Sequence, residues 1–256
     1  MQAKKRFGQN FLSDNVLLEE LANLINVAAN DRLLEIGPGK GDLTKNLINV
    51  CNSYFGIELD KELLVFLRNK FPENKNAFID GDILKLSPSE IFASNGFRVI
   101  GNIPYNISSP ILNWCEKHYE KILDMHFMLQ KEFALRCAGN EKTSSYGRLS
   151  VICNYLYEVK ILKEVSKEFF NPVPKVESLF VRFSPKKKKL NQKEFQNLKK
   201  VTRALFNKKR KKISNSLEDI LQKESIDKLG LNLNLRPDEL SLNEYLQISA
   251  LVKDNG

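Results

Sequence analysis

The sequence predicts an α/β fold: a doubly wound, Rossmann-like parallel sheet over residues 1–184, then a small all-α C-terminal domain over 185–256. Three observations carry this. Short apolar runs alternate with helical periods from Arg32 to Leu129, as in the strand–helix–strand units of a parallel sheet. The first run ends in alternating glycines, Gly37, Gly39 and Gly41, placed where a strand of such a sheet feeds a ligand-binding turn. Beyond Pro185 the strand pattern stops and the charge turns strongly basic.

The elements follow in order. Residues 16–27 (VLLEELANLINV) have helical apolar spacing, with Ser13 or Asp14 able to cap them. Strands are expected at 32–36, 54–58, 77–80, 97–100 and 125–129. Helices are expected at 43–50, 61–70, 88–92 and 111–118. After Ser150 two β-rich pieces, 157–165 and 178–183, bracket the segment 169–176 (FFNPVPKV). Pro172 and Pro174 stiffen that connection, and the whole reads as a hairpin-like addition to the sheet edge. Residues 193–206, 214–223 and 239–252 are helical in period, broken by Gly230 and Pro237.

The composition limits the function. The chain has 256 residues, of which 42% are hydrophobic and 28% charged, enough to bury a sizeable core and too apolar for a disordered chain. No stretch approaches the roughly 18 apolar residues of a membrane span. The basic start has no apolar run after it, so no secretory signal and a cytoplasmic location are expected. Cys51, Cys115, Cys137 and Cys153 are far apart, and there are only two histidines, His118 and His126. Neither a metal site nor a disulfide framework is expected, only thiols in a reducing compartment. The net charge is +9, and residues 185–256 hold 17 Lys+Arg against 9 Asp+Glu. Within 186–212 there are 13 basic residues and one acid, Glu194. Phe195, Leu198, Val201, Leu205 and Phe206 run through this block at helical spacing. An amphipathic helix with a basic side suits the backbone of a nucleic acid.

The glycine loop, Glu35-Ile-Gly37-Pro-Gly39-Lys-Gly41-Asp42, is weak evidence alone, since a tight turn can look the same. Its spacing also lacks the third glycine of the dinucleotide fingerprint. Two further features sharpen it. Glu58 ends the second strand, 21 residues after Gly37, where a carboxylate can accept both hydroxyls of a ribose. Asp80 and Asp82 end the third, where an acid can take the exocyclic amine of adenine. Glu35 and Asp42 flank the loop, whereas a diphosphate favours a helix start free of acids. A cationic adenosine, S-adenosyl-L-methionine, fits these residues better than a dinucleotide.

After the fourth strand comes Asn102-Ile-Pro-Tyr105. The fourth and first strands would flank the crevice where the winding reverses. An exocyclic amine of a base is a poor nucleophile, because its lone pair is delocalised into the ring. The Asn102 amide oxygen and a backbone carbonyl accepting its two N–H bonds would localise that pair and favour the charge that grows on nitrogen. Tyr105 offers a ring to stack an extruded base, worth about 1–3 kcal/mol.

At this point the residues resemble a known family, the small-subunit ribosomal RNA adenine dimethyltransferases (the KsgA family). The resemblance covers nearly the whole chain. It is carried by 5–12 (KRFGQNFL), 128–132 (MLQKE), 146–150 (YGRLS), 170–176 (FNPVPKV) and 206–212 (FNKKRKK), besides the glycine loop and N-I-P-Y. It implies a class I S-adenosylmethionine-dependent fold and two N6-methylations on each of two adjacent adenosines near the 3′ end of 16S rRNA. The substrate would be the 30S particle or its precursor, with no membrane partner and a monomeric enzyme. By position, the cofactor would touch Asn10, Leu12, Gly37, Glu58, Asp82 and Asn102, with Asn10 and Leu12 on an N-terminal segment closing over it. Phe170 would meet the target base beside Tyr105. The alternatives are a large-subunit rRNA adenine methyltransferase of the macrolide-resistance type and a non-catalytic ribosome-assembly factor.

Overall fold

The computed structural model describes residues 4, 8–92, 96–187 and 190–252. Lys5, Arg6 and Phe7 of the opening motif, and Lys188 and Lys189 of the basic block, lie outside the described residues. Two compact units emerge: Met1–Ala134 with Lys160–Pro185, and Leu135–Val159 with Lys186–Gly256. No helix among the described residues is long and apolar enough to cross a membrane.

The strands are β1 (Phe11–Leu12), β2 (Arg32–Ile36), β3 (Ser53–Glu58), β4 (Phe78–Asp80), β5 (Phe97–Asn102), β6 (Ile122–Gln130), β7 (Tyr157–Val165), β8 (Phe170–Asn171) and β9 (Ser178–Pro185). Seven form one sheet in the order β4-β3-β2-β5-β6-β9-β7. Strand β2 pairs in parallel with β3 on one side and β5 on the other, so the winding reverses at β2. Strand β5 runs parallel to β6, and β9 returns antiparallel to it. The central strands are nearly continuous apolar runs because a parallel sheet is covered on both faces. Only the last residue of β5, Asn102, emerges from full burial.

Helix α1 (Asn15–Ile25) begins where the Asp14 carboxylate accepts from the Leu17 N–H. Its buried Leu17, Leu18, Leu21 and Ile25 join Leu33, Leu64, Leu67 and Ile100 in one apolar cluster. Each such burial contributes about 1.5–3 kcal/mol. Arg98 ties α1 to the sheet: it pairs with Asp31 and Asp124 and donates to the carbonyls of Ile25 and Asn26. Helix α2 (Lys61–Lys70) is capped by Asp60, and α3 (Ser108–Lys117) follows the N-I-P-Y turn.

The remaining helices are α4 (Lys131–Ala138), α5 (Arg148–Leu156), α6 (Gln192–Asn207), α7 (Ser214–Leu217), α8 (Lys223–Asp227) and α9 (Leu242–Ala250). In the second unit α6 starts in a reciprocal cap between Asn191 and Glu194. It buries Phe195, Leu198, Val201, Thr202 and Leu205, and Phe206 stacks on Tyr245 of α9. Lys193, Lys200 and Arg203 lie on its exposed side.

Four expectations need correction. The single boundary near 185 misses 135–159, which belongs to the second unit. There Tyr155 stacks on Phe195, and the Lys186 N–H closes onto the Leu156 carbonyl, so α5 finds its apolar partners across a long sequence gap. Residues 43–50 form only a 3₁₀ turn at Thr44–Asn46, followed by turns, and the Thr44 hydroxyl is tied to buried Glu35. The short helix expected at 88–92 is a 3₁₀ turn over Pro88–Glu90, held by a cap between Ser87 and Glu90. Residues 214–223 hold only the single turn α7, with α8 beginning at the far end.

Candidate active site

The ends of β2, β3 and β5 and the loops after them enclose a cavity of about 220 Å³. Asn10, Leu12, Gly37, Glu58, Asp82, Asn102 and Tyr105 all line it. These residues come from five separate stretches of chain, and the reversal at β2 brings them together.

The glycine loop is shaped by close approach. Gly39 sits at φ +62, and a Cβ there would stand 3.1 Å from the Phe11 ring. Gly41 sits at φ +71, with a Cβ position 2.7 Å from the Phe71 ring and 2.9 Å from Leu67. The first glycine lets the N-terminal segment close down; the second seats the loop on the end of α2.

Glu58 is 5% exposed. One carboxylate oxygen accepts from the Gly39 N–H at 3.0 Å, the other from the Asp60 N–H at 2.9 Å. Burial pushes its carboxyl up, and these bonds pull it back. Each oxygen keeps a further lone pair, so the side chain is aimed and still able to accept two hydroxyls. Asp82 is half-buried and accepts from the Leu84 N–H.

Asn102 shows the clearest orientation. Its Nδ2 donates to the Asn10 carbonyl at 2.7 Å. A carbonyl can only accept, so the nitrogen must be the atom that faces it. Oδ1 is therefore the atom of this cavity-lining amide left to accept. Tyr105 is half-buried, and its hydroxyl bonds to the Ser178 Oγ at 2.8 Å, so the ring is held from its far end.

Three expected residues fall elsewhere. Phe170 is 2% exposed and packs in the apolar cluster with Leu12 and Phe180. The antiparallel pairing of β1 with β8, Leu12 opposite Phe170, places it in the core and away from the cavity lining. Asp80 is exposed and approaches Lys61 at 3.9 Å, outside the cavity. Glu35 does not line the cavity either. It is turned into the core, accepting from Tyr54 and Thr44, and burial pushes its carboxyl up to about 7. The acidic character of the wall rests on Asp42, Glu58 and Asp82.

The sequence reading missed Gln9, Lys40 and Asn106, which also line the cavity. Gln9 lay in a quoted motif, but nothing in its spacing marks a partner. Lys40 lies over the Phe11 ring at 4.8 Å, a contact between residues 29 apart in the chain.

An adenosine-bearing sulfonium fits this donor set. The cavity offers a carboxylate with two spare lone pairs, an acid, Asp82, two residues beyond β4, and open space at Gly37, where a Cβ would meet nothing within 4 Å.

The family model described as "Ribosomal RNA adenine dimethylase" matches residues 1–254. A ribosomal RNA small subunit methyltransferase A from Marinobacter nauticus is 38% identical, over 100% of this chain and 93% of its own length. A dimethyladenosine transferase from Plasmodium falciparum superposes with a TM-score of 0.77 at 24% identity, covering 93% of this chain and 95% of that one. The 23S rRNA methyltransferase ErmE superposes with a TM-score of 0.73 at 25% identity, covering 95% and 99%.

Proposed function

The chain belongs to the ribosomal RNA adenine dimethylase family, and from that premise we propose that it methylates N6 of two adjacent adenosines near the 3′ end of 16S rRNA, acting as a monomer on the 30S particle or its precursor in the cytoplasm. As a member it is an rRNA adenine dimethyltransferase whose methyl donor is S-adenosyl-L-methionine. The observation that carries the residue assignment is the Asn102 amide, pinned by its nitrogen to the Asn10 carbonyl.

When bound, the cofactor would supply an electrophilic methyl group on a sulfonium, whose carbon–sulfur bond breaks as the carbon–nitrogen bond forms and whose sulfur leaves as a neutral thioether. Glu58 and Asp82 would hold its ribose and adenine, and Gly37, Asn10 and Leu12 would shape the wall around it. Asn102 Oδ1 accepts one N–H of the target amine, which localises the nitrogen lone pair and favours the positive charge developing there. Tyr105, braced by Ser178, stacks the extruded base. The nitrogen becomes acidic once alkylated, so its proton leaves without a strong base. Positioning of this kind lowers a barrier by about 7–11 kcal/mol at most.

The second unit docks on folded RNA through phosphates. Lys193, Lys200, Arg203, Arg210 and Lys211 are exposed there, and such contacts orient without reading sequence. The small-subunit reading is favoured over the large-subunit one because identity is 38% to a small-subunit methyltransferase and 25% to ErmE, both over nearly the full chain.

The test is mass spectrometry of rRNA nucleosides after incubation with 30S particles from a strain lacking the modification. N6,N6-dimethyladenosine in the small-subunit RNA is expected. No product, or product only in large-subunit RNA by primer extension, refutes the proposal.

A further inference from the structure

The Asn10 carbonyl belongs to an N-terminal segment that is itself anchored. Gln9 Nε2 donates to the Asp60 carboxylate at 3.3 Å, and Gln9 Oε1 accepts from the Lys4 N–H at 2.8 Å. The Lys4 ammonium reaches the same carboxylate at 2.9 Å. Asp60 is 4% exposed and caps α2, so it is a rigid post. One residue beyond Gln9, the Asn10 carbonyl takes the Asn102 nitrogen at 2.7 Å. Two residues beyond, Phe11 begins the ladder to β8. The carbonyl is thus held between two fixed attachments.

We propose that Gln9, through its bond to Asp60, is a positioning residue for methyl transfer: it holds the Asn10 carbonyl that orients the Asn102 amide. The segment then does more than cover the cofactor. An unanchored Asn10 carbonyl would leave the Asn102 amide free to rotate by half a turn, and its nitrogen, a donor, would meet the N–H of the target amine. A cover alone would govern cofactor affinity; an orienting carbonyl also governs the rate at saturating cofactor.

This inference rests on the assignment of Asn102 as the residue that holds the target amine. The experiment uses the full-length enzyme with Gln9→Ala, Asn102→Ala and the double variant, on 30S particles in single-turnover format. Loss of one hydrogen bond to a charged group predicts a fall of about tenfold in the rate at saturating donor for Gln9→Ala. In the Asn102→Ala background the same change should alter that rate by less than about twofold, the mark of a shared pathway. A Gln9→Ala enzyme that weakens donor binding but keeps the wild-type rate would reduce the segment to a cover and overturn the inference. So would an equal loss in both backgrounds.

A second readout needs no turnover. The ¹⁵N side-chain amide signal of Asn102, assigned by its absence in Asn102→Ala, should move toward the free-amide position in Gln9→Ala. An unmoved signal overturns the inference. A wild-type enzyme inactive on rRNA, with the amide signal shifting as expected, would instead refute the proposed function and leave the anchoring intact.

Discussion

Glu35→Gln is the perturbation whose size follows most directly from the structure. Glu35 is 3% exposed on β2, and its Oε2 accepts from the Tyr54 and Thr44 hydroxyls. Burial raises its carboxyl from 4.5 to about 7, and the two donors only partly offset that. Below pH 4.5 the acid is protonated in both folded and unfolded chains, and this group adds no pH dependence. Between 4.5 and 7 the unfolded chain releases a proton that the folded chain keeps. Stability therefore falls with rising pH, by about 1.4 kcal/mol per unit and on the order of 3 kcal/mol in all. Above pH 7 both states are ionised and the loss levels off. Glutamine keeps an oxygen for both hydroxyls but cannot ionise. The second amide hydrogen carries its own cost, so the informative quantity is the difference in slope. Urea unfolding of both proteins from pH 5 to 8 measures it. The wild type should lose on the order of 3 kcal/mol relative to Glu35→Gln across that window. Parallel curves would refute the assignment of Glu35 as a proton-holding core acid.

Other changes bear on the site and on the basic unit. Asn102→Ala should lower the single-turnover rate at saturating donor by roughly 10²–10³, the usual loss for one positioned hydrogen-bonding group in a reaction centre. A wild-type rate would remove Asn102 from the chemistry. Gly41→Ala places a methyl 2.7 Å from the Phe71 ring at φ +71, so thermal unfolding should show a loss on the order of 2 kcal/mol. Replacing exposed Arg210 and Lys211 by glutamine should reduce the salt dependence of rRNA binding by up to about two units of log–log slope. Lys208 and Lys209 already pair with Asp219 and Asp238 at 2.8 and 3.6 Å, so neutralising them should change the slope less. The reverse order in a salt titration would contradict this division.

Much of the sheet was legible because its strands carry their own signal. Residues 32–36, 61–70 and 157–165 have the bounds expected from periodicity, since each is a continuous apolar run or a full amphipathic period. Strands β1 and β8 were not, because two residues have no period. The pairing of Leu12 with Phe170 that they create is a contact across most of the first unit. It also brings Phe170 into the apolar cluster.

The cofactor wall was legible in part. Glu58 and Asn102 end strands and Asp82 follows β4 by two residues, and strand ends of a wound sheet converge whatever the detailed packing. Glu35 and Asp80 occupy equally promising positions in the chain, yet one points inward and the other out to solvent. In a strand, neighbouring residues face opposite ways, and which face meets the cavity depends on how the sheet is covered.

The order of residues alone determined that there is a parallel sheet, a glycine turn, acids near it, an amide at the switch and a basic helical end, because these follow from local spacing and charge. Only the folded chain decided which acids line the cavity, that 135–159 joins the second unit, and that the Asn102 nitrogen is held by the Asn10 carbonyl. Those are contacts between residues far apart in the chain, and the close packing that selects them has no local signature.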